Sequence, residues 1–416
     1  MDVAIRNMGM ICAMGADVSA VKATLFYGQP PAMSFRTVVD GRRLPVFEVR
    51  ELPPLPDAYR LYDCRNNRLA YACFEQIAHT VDEVLETTNP NRLGVVLGSS
   101  TSGLAASEAA YQLMRAEGHY PENYHFHSQH AMGSLARFIA ELAGARGPTY
   151  TVSTACSSSA KAMLSARGLI EADICDVVIS GGVDSLCDLT VNGFGALGQL
   201  SSSRMNPLSQ NRSGLNIGEG GALFVLTRDA ADVFLWGGGE SMDAFHMSAP
   251  SPDGSGAALA MSRALEDAQV EAAQVAYVNL HGTATRANDS MECQAVVAVV
   301  PDAYVASSKP FVGHCLGAAG AIEAGLCCIS LADDACRLPH HVFDGQVDSA
   351  LPNLKIAFPG TAVPSVRSGE MCYLSNSFAF GGNNCTMVFG RARGDNQNRW
   401  RSDHSDAVFG SSQGSV

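Results

Sequence analysis

The chain reads as a layered α/β protein. Short apolar runs alternate with helix-forming stretches along its length, and 40 glycines accompany only 7% aromatics. A 47% hydrophobic content over 416 residues can fill a large core. Together these predict a buried, mostly mixed sheet covered by helices, in one large domain or two fused halves.

Taken in order, residues 2–10 predict a first strand and Val18–Tyr27 a helix after a glycine-containing turn. Residues 91–98 carry the apolar run and glycine stop of a buried strand, and residues 135–143 predict a helix ended by Gly144. Thr149–Val152 reads as another buried strand, followed by a helix over 159–170 and a buried strand over 176–182. Residues 222–226 close a first half, 1–232. The second half, 233–390, opens on a strand over 233–239 and continues with an amphipathic helix over 256–269. A strand over 275–280 and a helix over 318–330 follow, and strands over 371–374 and 386–389 flank a glycine loop. Residues 391–416 are polar and predict a disordered tail. No sequence repeat relates the halves.

Composition removes several function classes. A net charge of −13 argues against nucleic-acid binding, which needs a basic face. No run of about 20 uncharged apolar residues predicts a membrane span. No basic-then-apolar leader opens the chain, so none is expected. The 13 cysteines show no Cys-x-x-Cys spacing, and Cys327 and Cys328 are adjacent. Reduced thiols and a cytoplasmic location are expected.

Chemistry concentrates at three boundaries. Cys156, in Thr-Ala-Cys-Ser-Ser, sits where a strand turns into a helix. The helix start would favour the thiolate over a thiol whose ordinary pKa is about 8.5. A free cysteine is usually buried packing, and that serves for the other twelve. Glycine-flanked His281, in His-Gly-Thr-Ala-Thr, and His314, in Gly-His-Cys-Leu-Gly-Ala-Ala-Gly, change the reading for Cys156. A thiol and two imidazoles suit covalent acyl transfer. The run His125-Phe126-His127-Ser128-Gln129-His130 fits no metal-ligand spacing and has no carboxylate cluster beside it, so no metal is expected.

These motifs, with Lys309 five residues before His314 and the late Ser-Asn-Ser-Phe-Ala-Phe-Gly-Gly-Asn-Asn, resemble the β-ketoacyl-acyl-carrier-protein synthases. The four motifs occur in the family's order between about Gly9 and Gly390. The resemblance implies a thiolase-like five-layered α-β-α-β-α fold made of two α/β halves. It implies a decarboxylating Claisen condensation, with the acyl chain on Cys156 and a malonyl enolate stabilised by His281 and His314. Lys309 would be a buried charge paired with Glu323. Phe380 would gate the acyl pocket and lend its N–H to an oxyanion hole with that of Cys156. Phe126, Thr283, Thr285 and Phe378 would contact substrate, Phe126 in a pocket and dimer-contact region.

An acyl carrier protein would be the partner, docking on Arg65, Arg68 and Arg204, although carrier and chain are both acidic. No cofactor is implied. The assembly would be a homodimer or a heterodimer with a related ketosynthase-like subunit, this chain then being its catalytic half. A non-catalytic chain-length factor is disfavoured by the presence of Cys156, and a coenzyme A-dependent priming synthase by the two histidine motifs. Ala379 stands where the family has glycine, and Leu208, Ser209 and Ser213 also depart from its pattern. These departures favour a specialised pathway, such as an aryl polyene or other polyketide cluster.

Overall fold

The computed structural model describes residues 1–229 and 231–393. Ten strands build the centre: β1 (Val3–Cys12), β2 (Leu93–Gly98), β3 (Thr149–Val152), β4 (Val177–Asp184), β5 (Gly220–Thr227), β6 (Val233–Met242), β7 (Val275–Asn279), β8 (Tyr304–Ala306), β9 (Cys372–Phe378) and β10 (Asn383–Arg391). The first half is ordered β1-β5-β4-β2-β3 and the second β6-β10-β9-β7-β8. In each half the first strand pairs antiparallel with the fifth and the fifth antiparallel with the fourth; the remaining pairs are parallel. The two halves therefore repeat one topology that their residues do not reveal. They join at β1 and β6 through only Val3 opposite Leu235 and Ala4 opposite Phe234. A short strand, Lys355–Ile356, extends the second half beyond β8.

Six helices make the layers: α1 (Arg65–Glu75), α2 (Ser134–Ala143), α3 (Ser158–Glu171), α4 (Ser255–Ala268), α5 (Arg286–Val299) and α6 (Ala319–Leu331). Leu69 and Ala70 of α1 and Phe138 and Ile139 of α2 pack on one face of the first half. Met261 and Leu265 of α4 and Met291 and Val296 of α5 cover the second half in the same way. Helices α3 and α6 lie between the halves, in a core shared with β1, β5, β6 and β10. The layers thus run α-β-α-β-α, the thiolase-like arrangement.

All 13 residues of α6 are buried. Its sequence, Ala-Gly-Ala-Ile-Glu-Ala-Gly-Leu-Cys-Cys-Ile-Ser-Leu, has no polar stripe because no face meets water. A Cβ on Gly320 would lie 2.9 Å from that of Ala160, so glycine permits the close crossing of α6 on α3.

Two expectations change. The strand β3 is not buried: it ends the sheet, with Thr149 and Tyr150 exposed, because an edge strand packs on one side only. The expected tail begins too early, since Arg391 still belongs to β10 and the Arg393 guanidinium stacks 3.7 Å over the Trp236 ring. The rest of that tail lies outside the described residues. No described helix is long and apolar enough to cross a membrane.

Candidate active site

The groups singled out for chemistry lie beyond the C-terminal ends of strands, apart from Glu323, which lies in α6. Cys156 follows β3, His281 follows β7, Lys309 and His314 follow β8, and Phe378 and Phe380 end or follow β9. Their loops meet at the ends of the central helices. Ala155 (φ 52), Ala284 (φ 60) and Leu316 (φ 50) occupy the left-handed region within three residues of Cys156, His281 and His314, respectively. Non-glycine residues pay strain there, and it persists only where the surroundings enforce it.

The thiol and the two imidazoles form one buried cluster. The Cys156 sulfur and one nitrogen of each ring lie within 4.8 Å of one another. His314 Nε2 is 2.9 Å from Cys156 Sγ, and the two imidazoles meet edge to face with centroids 5.3 Å apart. The backbone N–H groups of Phe380 and of Cys156 itself favour the charged form of the sulfur. Phe378 is buried with its ring 6.3 Å from His281, and the Phe380 ring packs on Phe194. Lys309 is fully buried, with Nζ 2.5 Å from Glu323 Oε1 and 3.5 Å from His281 Nδ1. An ammonium can only donate, so His281 Nδ1 accepts and Nε2 carries the ring proton. The trio of Cys156, His281 and His314 has the spacing of metal ligands, but the adjacent ammonium would repel a dication.

Burial decides the protonation states. It pushes the Cys156 thiol up to about 11, against the opposing pull of Lys309 and the two N–H groups. The expectation that the helix start yields a thiolate is therefore corrected. Cys156 precedes the N-cap, Ser157, and desolvation outweighs the favourable dipoles. Burial, with Lys309 adding to it, also holds both histidines well below their ordinary range, so both rings are neutral. The Glu323 carboxyl is raised to about 7, burial exceeding the pull of Lys309.

The remaining expected residues divide. The Thr283 and Thr285 hydroxyls lie 3.0 Å apart on the strand-to-helix turn after His281, Thr285 serving as the N-cap of α5. Phe126 is 49% exposed, its ring against His127 and His130. The three arginines expected to dock a carrier are engaged within the chain. Arg65 grips buried Glu219 with Nε at 2.8 Å and also bonds the Val49 carbonyl. Arg68 is bidentate to Asp63 at 2.6 and 2.7 Å. Arg204 donates to the Pro31 and Pro310 carbonyls beneath the Phe47 ring. The geometry gives Arg65 and Arg204 structural work, because a guanidinium this far desolvated needs such partners. Ala379 has no left-handed φ; its N–H bonds the Asn383 carbonyl at 2.7 Å. Leu208 is held at φ 63 by its N–H bond to Asp289, and Arg212 pairs with Asp348.

Sequence reasoning gave no role to the buried carboxylates Asp184, Glu219, Asp289 and Glu292. Glu292 accepts the N–H groups of His281 and Gly282 at 2.7 and 2.8 Å, and Asp289 those of Leu208 and Ala284. Glu219 takes those of Val49 and Leu186. Acidic residues among glycines and apolar residues, as in Ile-Gly-Glu-Gly-Gly, were the available clue.

Comparison with known proteins agrees with this geometry. Residues 67–231 match the N-terminal domain of beta-ketoacyl synthase, and residues 235–342 its C-terminal domain. The 3-oxoacyl-[acyl-carrier-protein] synthase 2 of Vibrio cholerae is 30% identical over 94% of this chain and 99% of its own length. A chain of the complex of ketosynthase ApeO with its chain length factor ApeC, from Xenorhabdus doucetiae, superposes with a TM-score of 0.87. It is 38% identical, covering 94% of this chain and 98% of that one. A beta-ketoacyl synthase from Burkholderia phymatum gives a TM-score of 0.81 at 26% identity, over 94% of this chain and 100% of that one. The chain belongs to the β-ketoacyl-acyl-carrier-protein synthases.

Proposed function

We propose that this synthase carries its growing acyl chain on Cys156 and divides proton and enolate chemistry between His314 and His281. The observation that carries the reading is the 2.9 Å contact between His314 Nε2 and Cys156 Sγ in a site where the thiol is protonated and the imidazole neutral. As sulfur attacks the carrier thioester, its proton passes to His314 Nε2, and the leaving carrier thiolate is reprotonated. A malonyl carrier then loses carbon dioxide, and the resulting enolate oxygen meets the His281 Nε2–H, whose tautomer Lys309 sets. The enolate carbon attacks the acyl carbonyl, whose oxyanion falls to the N–H groups of Phe380 and Cys156. Collapse breaks the C–S bond, the departing Cys156 thiolate takes up a proton from solvent to restore the thiol, and a chain two carbons longer leaves on the carrier.

An acyl carrier protein supplies both substrates. A related ketosynthase-like subunit covers the open edge of β3 and exposed Phe126, an arrangement supported by the 38% identity to a chain of the ApeO–ApeC complex. The departures at Ala379, Leu208, Ser209 and Ser213 support a specialised polyketide pathway, such as an aryl polyene one. All 13 cysteines are buried, which supports a reducing, cytoplasmic setting.

Mass spectrometry of the protein after incubation with acyl carrier protein tests the assignment: the acyl group should be found on Cys156. Cys156→Ala should lower condensation on the order of a thousandfold or more. Transfer of a labelled acyl chain to that variant would overturn the covalent role.

A further inference from the structure

Asp184, the last residue of β4, is fully buried and is given no part in the chemistry above. Its Oδ1 accepts from the Ser99 hydroxyl at 2.7 Å, the Ser100 and Thr101 N–H groups at 2.8 Å each, and the Thr101 hydroxyl at 2.9 Å. Its Oδ2 accepts from the Ser100 N–H at 3.1 Å and the Ala318 N–H at 3.2 Å. One carboxylate therefore gathers donors from both halves of the molecule.

Each set of donors leads to a reacting group. The Ser100 hydroxyl donates to the Ala155 carbonyl at 3.0 Å, and the Ser158 hydroxyl to the same oxygen at 2.6 Å. Ala155 is the left-handed residue immediately before Cys156. On the other side, Ala318 stands four residues after His314, and its N–H also bonds the Cys315 carbonyl at 3.0 Å. Between the two arms lies Gly317, where an added Cβ would sit 2.6 Å from Ser100 Oγ and 2.8 Å from Asp184 Oδ2. The second half has thus left out a side chain where the first half inserts its carboxylate.

We propose that Asp184 is a positioning residue that holds the Cys156 turn and the His314 turn in register and so maintains the contact between Sγ and Nε2. Any looser coupling would leave both turns intact and the thiol out of reach of its base. The inference rests on the roles given above to Cys156 and His314. Full activity of Cys156→Ala would sink those roles, whereas full activity of the Asp184 variants beside an inactive Cys156→Ala would sink only this proposal.

Asp184→Asn is the informative change. Its single carbonyl oxygen can serve the four donors on the Oδ1 side, leaving an amide NH2 against the Ala318 N–H, donor facing donor. The His314 arm is then released while the Cys156 arm is kept. Per folded molecule, kcat should fall about tenfold or more, with KM for carrier-bound substrate nearly unchanged, since small misplacements of reacting atoms are costly. Alkylation of Cys156 by iodoacetamide should reach its midpoint at lower pH, because a negative charge near the sulfur has gone. His281, His314 and Lys309, the other titratable groups facing it, are untouched. A purely structural residue would lower Tm and leave kcat and the alkylation profile of the remaining folded protein unchanged, and that result would overturn the proposal. Ser100→Ala removes the hydroxyl's links to Ala155 and Ser158 while keeping the backbone N–H on Asp184, and should slow acylation of Cys156 more than malonyl decarboxylation. If Asp184→Asn does not fold, Ser100→Ala decides: an acylation rate equal to that of the unaltered protein overturns the inference.

Discussion

The two halves share a strand order and differ in what they place at the strand ends. After the third strand of the first half comes Cys156 and then α3; after the third strand of the second come Lys309, His314 and then α6. After the second strand come Ser99 to Thr101 in one half and His281 to Thr285 in the other. After the fourth strand, one half offers Asp184 and the other Phe378 and Phe380. Equivalent positions therefore hold unlike chemistry: the Cys156 thiol and the Asp184 carboxylate on one side, two imidazoles, an ammonium and two phenylalanines on the other. A duplicated scaffold can supply six strand ends to one cleft, and only the loops need differ to make it asymmetric.

The division would break first at the histidines. His314→Ala should cut acylation of Cys156 roughly 10²–10⁴-fold through loss of the proton acceptor. His281→Ala should cut malonyl decarboxylation roughly 10²–10³-fold while acylation is spared. Single-turnover acylation and release of labelled carbon dioxide measure the two steps separately. Equal losses in both steps for both variants would show that the rings act as one unit.

The clamping carboxylates sharpen the comparison next. Glu219, in the first half, is paired with Arg65, whereas Glu292, in the second, accepts the N–H groups of His281 and Gly282. Arg65→Glu would leave Glu219 buried and unpaired beside a second acid, and should cost about 3–5 kcal/mol in urea unfolding. Arg68→Glu, at an exposed pair, should cost less than about 1 kcal/mol. Equal stability of the two variants, together with a raised KM for carrier, would return both arginines to docking.

The smallest effect is a pH dependence. Burial raises the Glu292 carboxyl from 4.5 to about 7, outweighing the N–H groups of Gly282 and His281. For an acid raised on folding, ionisation is the unfavourable event. The stability it contributes is intact below its unfolded pKa and is lost as pH rises through its folded one. Between pH 4.5 and 7 the unfolding free energy should therefore drop by something on the order of 1–3 kcal/mol. Glu292→Gln should flatten that slope whatever its absolute stability, and an unchanged slope would assign the effect to another group.

Much of this was legible in the residues. Cys156 stands among small residues, and His281, His314, Lys309 and Glu323 stand in short glycine-containing motifs, because backbone must approach closely where loops converge, and that requirement leaves a trace in sequence. The layers were legible as alternating apolar runs. The duplication was not, since two halves can keep strand order while sharing no side chain. Nor was the exposure of β3: Thr-Tyr-Thr-Val suits an edge as well as a centre. The protonation of Cys156 was misread because proximity to a helix is local, whereas desolvation depends on what the second half lays over it. The partners of the arginines stayed hidden for a related reason. Their helical spacing was visible, but the carboxylate beneath Arg65 comes from residue 219.

The uniformly buried α6 bears on how such a chain is made. The first half is complete in strands once Thr227 has been synthesised, and α3 already packs on part of its inner face, but α6, which covers the rest, ends only at Leu331. That delay of roughly 100 residues, at about 5–20 residues per second, leaves part of an apolar sheet face open on the ribosome for roughly 5–20 s. Nascent chains stalled between these points should bind chaperone, and chains stalled beyond the strand pair that closes the second half should not.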